Sequence, residues 1–369
     1  MNSSLHSKKL HHHIVVVISS HGYGHVVMTA PVINRLQQLH PHIRITLSTR
    51  IPRTFLDSKF NGPFDHLPHS SDFGMVMNNA FECDLPASLR AYHDLHDQWQ
   101  TNIATEMERL RNIGADIVIS NIAYLPLIAA KQLGIPAIAM SCINWADIFK
   151  HFFPDEIEIH QQIVTAYQSA DCFIRTEPAM PMSDFTTHIV APVVAGGENR
   201  RQQLLTTLQL PAETRLVLVS MGGISTEIDA SKWPSLNHIH YLVANNINNC
   251  GRSDITLVND LNISYNDLLC SSDLLLTKPG YGSFTEAAFN GVPVLYVRRD
   301  EWPEQPFMTE WLHKQIHCTA ITPDEFREGK FTQQLQHLLQ TNRTTTLFKT
   351  GIDEAVGLIA AHIKPTTIG

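Results

Sequence analysis

The chain contains no stretch approaching the roughly 18–20 consecutive apolar residues that a bilayer-spanning helix needs. Its early apolar run, Ile14–Ile18, is also too short for a signal-peptide core. The expectation is therefore a soluble, cytoplasmic protein, with only peripheral membrane contact left open. Positive charge is scarce as well: 27 Lys and Arg face 35 Asp and Glu, a formal net charge of −8. Phosphate backbones select for basic surfaces, so no nucleic-acid partner is expected. The six cysteines form no Cys-x-x-Cys pair, which disfavours a zinc site and fits reduced thiols, mostly in the core. Low-complexity blocks and short-period repeats are missing too.

What is present is an ordinary globular composition, 43% hydrophobic and 17% charged, over 369 residues. That length exceeds a usual single domain of roughly 100–200 residues. Short β-branched runs alternate with segments of helical period, the pattern of parallel sheets covered by helices, so the fold class is α/β with two Rossmann-like doubly wound domains. In the first half strands are expected at Ile14–Ser19, Ile43–Ser48, Asp116–Ser120, Ala137–Met140 and Cys172–Ile174, with one long helix from about Pro86 to Asn112. A new series starts after Ala191-Pro-Val-Val-Ala-Gly-Gly197, with strands at Arg215–Ser220, Ile239–Val243, Ile255–Val258, Leu274–Thr277 and Val292–Val297. The expected division is 1–195, 196–345 and a C-terminal helix within 346–369 that crosses back to the first domain. The segment Gly62–Leu85 has poor periodicity but keeps Phe64, Phe73, Met75, Met77 and Phe81. It either lines a cleft or packs on its own domain.

Three loops carry candidate chemistry. Ser19-Ser-His-Gly-Tyr-Gly-His25 follows a strand and precedes a helix, so Gly22 and Gly24 allow close approach of a ligand to a helix N-terminus. His25 stands at that helix's first turn, where the dipole disfavours imidazolium and keeps a base neutral. The third glycine and the acidic residue of a dinucleotide site are absent, which disfavours NAD. Ser220-Met-Gly-Gly-Ile-Ser225 places Gly222 and Gly223 after a strand, where a phosphate or sugar can approach. The third loop, Leu274 to Glu286, brings together Lys278, Gly280, Gly282 and a helix opening near Ser283. Ammonium, backbone N–H groups and dipole converge there on a diphosphate. Glu286, one turn on, either accepts ribose hydroxyls or closes a capping box with Ser283. His93-Asp-Leu-His96-Asp97 reads as a solvated helix face rather than a metal site.

Together these residues resemble the GT-B glycosyltransferases, especially the lipid-intermediate transferases and the UDP-glycosyltransferases. The match is strongest over Ser272–Phe307, through Lys278, Gly280, Ser283, Glu286, Gly291-Val-Pro293 and Glu304-Gln305. A further similarity, through His21–His25 and Val297–Phe307, is to the GT-B-like N-terminal region of plant arabinokinases, whose kinase half is absent here. The resemblance implies a nucleotide-sugar donor, UDP-linked, bound by the second domain, with Glu304 and Gln305 on the donor sugar. It implies that His25 deprotonates a small-molecule, lipid or glycan acceptor. Two departures stand out. Where many UDP-glycosyltransferases carry an aspartate that orients the histidine, this chain has Ser120-Asn121, and Asp116 lies about 13 Å down the strand. Where retaining members carry a glutamate eight positions before the donor glutamate, this chain has Lys278, which favours inversion. With no Asp-x-Asp, neither metal nor bound cofactor is expected. The expected activity is thus an inverting, metal-independent glycosyltransferase. A hydrolase or epimerase on the same scaffold, or a non-catalytic sugar-nucleotide binder, are the alternatives.

Overall fold

The computed structural model describes residues 12–79, 81–222, 228–244, 247–248, 251–258, 261–344 and 349–363. Gly223 lies outside the described residues, as does Cys250. The first half carries strands β1 (His13–Ile18), β2 (Arg44–Ser48), β3 (Asp65–Leu67), β4 (Ile117–Asn121), β5 (Ala137–Ser141), β6 (Cys172–Thr176) and β7 (His188–Val190). They form one parallel sheet in the order β3-β2-β1-β4-β5-β6-β7. Its helices are α1 (Gly24–Leu39), α2 (Arg53–Asp57), α3 (Leu85–Asp97), α4 (Trp99–Ile113), α5 (Leu125–Leu133), α6 (Trp145–Phe152) and α7 (Ile157–Gln168).

The second half adds β8 (Arg215–Ser220), β9 (Ile228–Asp229), β10 (Ile239–Val243), β11 (Ile247–Asn248), β12 (Ile255–Leu257), β13 (Leu274–Thr277), β14 (Val294–Val297) and β15 (Cys318–Ile321). Six of these make a second parallel sheet, β12-β10-β8-β13-β14-β15, while β9 and β11 pair separately. Around them lie α8 (Arg201–Thr207), α9 (Tyr265–Ser271), α10 (Tyr281–Phe289), α11 (Gln305–Gln315), α12 (Pro323–Glu328), α13 (Thr332–Gln340) and α14 (Ile352–Ala360). Both sheets reverse strand order beside their first strand. Ligands of open α/β sheets bind outside the carboxyl ends of the strands at such a switch point.

The central strands are apolar throughout because both of their faces are covered. In β1, Ile14, Val16 and Ile18 point into one cluster, with Val26, Ala30 and Ile33 of α1, while Val15 and Val17 point into the opposite one. The latter cluster continues into the second half through Leu216, Leu218, Leu275 and Phe284. Helix α14 packs on α1 and buries Ala355, Val356 and Ile359 in the first sheet's cluster. It is held there by Gly351 N–H donating to Pro192 O at 3.0 Å and by Arg35 paired to Asp353 at 2.8 Å. No helix of the described residues is long and apolar enough to cross a membrane.

Several expectations need correction. The expected long helix is broken at Gln98, so that α3 packs on α7 and α4 turns along α5. The 62–85 segment contains β3. Within it, Phe73, Met75 and Met77 pack into the shared cluster, and Phe81 packs against the second sheet's own. In the His93–Asp97 stretch Asp94 and Asp97 are exposed as a solvated face requires, but His96 is not. His96 is buried, bonded to Gln162 and to the Tyr124 hydroxyl at 2.9 Å, and stacked on Trp99.

Candidate active site

A cavity of about 640 Å³ lies where the switch points of the two sheets face each other. The loop after β1 lines it with His21, Gly22, Gly24 and His25. The loops after β8 and β13 line it with Gly222 and with Lys278–Ser283. The halves touch at its floor, where α10 packs on α1. A Cβ placed on Gly282 would lie 2.9 Å from Val27 Cγ1, so only glycine permits this approach. Val193 N–H donates to the Tyr281 hydroxyl at 2.8 Å, and Lys59 Nζ reaches Asn266 Oδ1 at 3.0 Å.

Some helices of the fold are capped by side chains and others are not. Side chains cap α3, α6, α9 and α12 through Asp84, Asn144, Ser264 and Thr322. Two helices that open on the cavity, α1 after Tyr23 and α10 after Gly280, have no side-chain cap. Their first-turn N–H groups lack intrahelical partners and are available to a ligand. The alternative of a capping box at Ser283 does not form, because Gly280 is extended and α10 already opens at Tyr281. Ser283 therefore sits within the first turn, at the cavity. Gly222 takes φ +78°, with Lys278 Cε 3.4 Å from where its Cβ would be, so glycine is required. Gly22 and Gly24 are not held by conformation: a Cβ on either meets nothing within 4 Å, and what glycine leaves there is space.

His25 is oriented by an amide. Asn121 Nδ2 donates to Thr29 Oγ1 at 3.0 Å, and the Thr29 hydroxyl in turn donates to His25 O at 2.7 Å. This leaves Asn121 Oδ1 facing His25 Nδ1 at 2.9 Å, so Nδ1 carries the proton and Nε2 keeps its lone pair. Burial lowers the His25 pKa, and the Asn121 bond and the carboxylate of Asp72 offset part of that. Asp72 is itself half-buried, accepting from Trp145 Nε1 at 2.8 Å and from Ser19 and Ser70. Burial raises its pKa against those bonds. His21 stands edge-on to Trp145, with centroids 5.2 Å apart, and its buried Nε2 has no partner among the described residues.

On the second half, burial pushes Lys278 down to about 7, helped by Arg299 and opposed by Glu304. Glu286 lines the cavity. Its Oε1 accepts from Asn266 Nδ2 at 2.9 Å, and burial raises its pKa. Glu304 also lines the cavity, but Gln305 does not. The Gln305 Oε1 accepts from Arg299 N–H and its Nε2 donates to Asp300, so it shapes the Arg299 turn from behind. Reasoning from sequence missed Asp72, Trp145 and the free ring nitrogen of His21. Arg299 and Trp302, whose place just before Glu304 reads from sequence either as pocket-shaping or as a strand-end surface feature, both line the cavity. No local signal marks Asp72 or Trp145, which meet across 73 positions. No group of three or more His, Cys, Asp or Glu able to hold a metal ion occurs among the described residues.

No family model matches the chain. It is 25% identical to the L-arabinokinase of Arabidopsis thaliana over the whole of this chain, and spans 36% of that protein's length. Among solved structures, the calicheamicin glycosyltransferase CalG4 superposes with a TM-score of 0.61 at 14% identity, over 96% of this chain and 98% of CalG4. A Listeria monocytogenes protein assigned as a UDP-N-acetylglucosamine 2-epimerase gives 0.57 at 14% identity, over 95% and 96% of the two chains. These likenesses establish the fold as GT-B: two Rossmann-like α/β domains facing across a cleft.

Proposed function

We propose that this protein is an inverting, metal-independent glycosyltransferase that moves a sugar from a UDP-linked donor to a hydroxyl of a small-molecule, lipid or glycan acceptor. Residues 1–195 would hold the acceptor and 196–345 the donor, with 346–369 returning to the first domain. The observation that carries this reading is the pairing, in one cavity, of an oriented neutral imidazole with an uncapped helix N-terminus and a half-buried lysine.

In this scheme the diphosphate rests on the first-turn N–H groups of α10, the Ser283 hydroxyl, Gly222 and Lys278, while Glu286 accepts the ribose hydroxyls. Glu304 orients the donor sugar. His25 Nε2 removes the acceptor hydroxyl proton as the oxygen attacks the anomeric carbon. The new C–O bond forms opposite the breaking bond to the diphosphate, and the charge left on the leaving group meets Lys278 and the helix dipole. The proton ends on His25, where Asn121 Oδ1 and the Asp72 carboxylate stabilise the imidazolium. The likeness to a glycosyltransferase and to a UDP-sugar enzyme supports a sugar nucleotide as the ligand.

A second reading, a hydrolase or epimerase of nucleotide sugars, is favoured by the free Nε2 of His21, which gives the cavity a second neutral imidazole. Incubation with a panel of nucleotide sugars, with and without a cell-extract pool of acceptors, separates the two. Release of nucleotide only with acceptors supports transfer. Acceptor-independent conversion supports the second reading, and binding without turnover would leave a sugar-nucleotide-binding protein.

A further inference from the structure

Arg299 is a buried cation that the scheme above leaves without a task. It follows β14, the strand next to β13, so it stands on the order of one strand spacing, ~4.8 Å, to the side of the diphosphate cradle. It is 7% exposed, and its guanidinium lies 4.2 Å from the centroid of Trp302. That stacking occupies one face and leaves the edge to do the binding. On that edge, Nε and Nη2 are both buried and have no hydrogen-bond partner among the described residues. Glu304 offsets part of its charge, while Lys278 and the neutral His21 stand at the same end of the cavity.

Nε–H and Nη2–H are parallel donors whose spacing matches the two oxygens of a carboxylate. Buried donors left unpaired by the protein are rare in native proteins, and at a cavity wall a bound ligand would satisfy them. The diphosphate already has Lys278, Ser283, Gly222 and the N-terminus of α10. Arg299 instead neighbours Glu304, at the sugar end, and faces the His21–His25 loop where transfer would occur. We infer that the transferred sugar is a hexuronic acid, whose carboxylate is gripped by the Nε/Nη2 edge of Arg299 while Glu304 takes sugar hydroxyls. This deepens, and rests on, the reading of the cavity as a nucleotide-sugar site.

The test compares donors that differ only at C6, UDP-glucuronate with UDP-glucose and UDP-galacturonate with UDP-galactose. Binding is measured calorimetrically on the full chain, beside UDP alone, for wild type, Arg299→Met and Arg299→Lys. Thermal melts of each variant confirm folding. Wild type is expected to bind one uronate roughly ten- to a hundredfold tighter than its neutral counterpart, the effect of a charge-assisted hydrogen-bond pair. Both variants should bring that ratio close to one, since lysine keeps the charge but loses the fork. A wild-type ratio near one with UDP still bound would overturn the carboxylate assignment alone. An equal loss for both members of a pair in Arg299→Met would reassign the guanidinium to the diphosphate. Failure to bind any nucleotide would overturn the nucleotide-sugar reading and this inference with it.

Discussion

At His25 an amide stands where the resemblance to UDP-glycosyltransferases leads one to expect an aspartate, and the consequence can be followed atom by atom. Asn121 fixes the tautomer as a carboxylate would, but it adds no charge of its own to favour the imidazolium. That charge comes from Asp72, which reaches the site from a different loop through Trp145 and Ser19. Burial already holds His25 below the ordinary histidine range, so the acid limb of the pH–rate profile should lie at low pH. Asn121→Asp places a carboxylate on Nδ1–H, which favours the protonated ring and raises its pKa. Activity is lost as pH falls through that pKa, so the limb should move to higher pH in a kcat/KM profile.

Lys278 titrates where most lysines do not. Its pKa of about 7 belongs to the unliganded protein, and a bound diphosphate favours the ammonium. Binding above pH 7 must therefore take up a proton. Affinity for a nucleotide sugar, whose diphosphate does not titrate in this range, should be flat below about pH 7. It should then fall by up to roughly tenfold per unit toward pH 8.5. Calorimetry across that range should show the slope in wild type and lose it in Lys278→Gln.

Among the elements, the central strands were legible because a strand buried on both faces needs an unbroken apolar run, as at Ile14–Ile18 and Leu216–Val219. The helix boundaries were harder. Ser283-Phe-Thr-Glu286 has the letters of a capping box, but the extended Gly280 starts α10 earlier and turns Ser283 and Glu286 to the cavity instead. The break at Gln98 has neither proline nor glycine to announce it, because it is set by α3 and α4 packing on different helices. The Gly22–His25 and Lys278–Glu286 loops could be read from their residues and spacing. Asp72 and Trp145 could not, because only the fold brings them together. The contact between α1 and α10 is testable at this scale. Gly282→Ala forces its methyl against Val27 and should destabilise the fold by about 1–3 kcal/mol, measured by urea unfolding. Val27→Ala in the same chain should recover part of that loss, and additive effects would show that the two helices are not in register there.

At the scale of the whole molecule, the chain is tied back on itself, since α14 closes the cluster beneath the first sheet after the second half is complete. Val356 and Ile359 are almost fully buried there, each worth roughly 1.5–3 kcal/mol as an upper estimate. A chain ending at residue 350 should accordingly unfold at lower denaturant, with its first half the more sensitive to proteolysis. Stability unchanged by that truncation would mean that α14 adds little. The two halves meet at the cavity through α1 and α10, so the His21–His25 loop and the Lys278–Ser283 loop line one site only in the whole chain.

The most direct measurement is nucleotide release from a sugar-nucleotide donor in the presence of acceptors, for wild type and His25→Ala at equal concentration. Loss of the oriented base predicts a rate lower by roughly 10²–10⁴-fold, with donor binding retained. A variant that releases nucleotide at the wild-type rate would contradict the role given to His25, and with it the catalytic reading of the cavity.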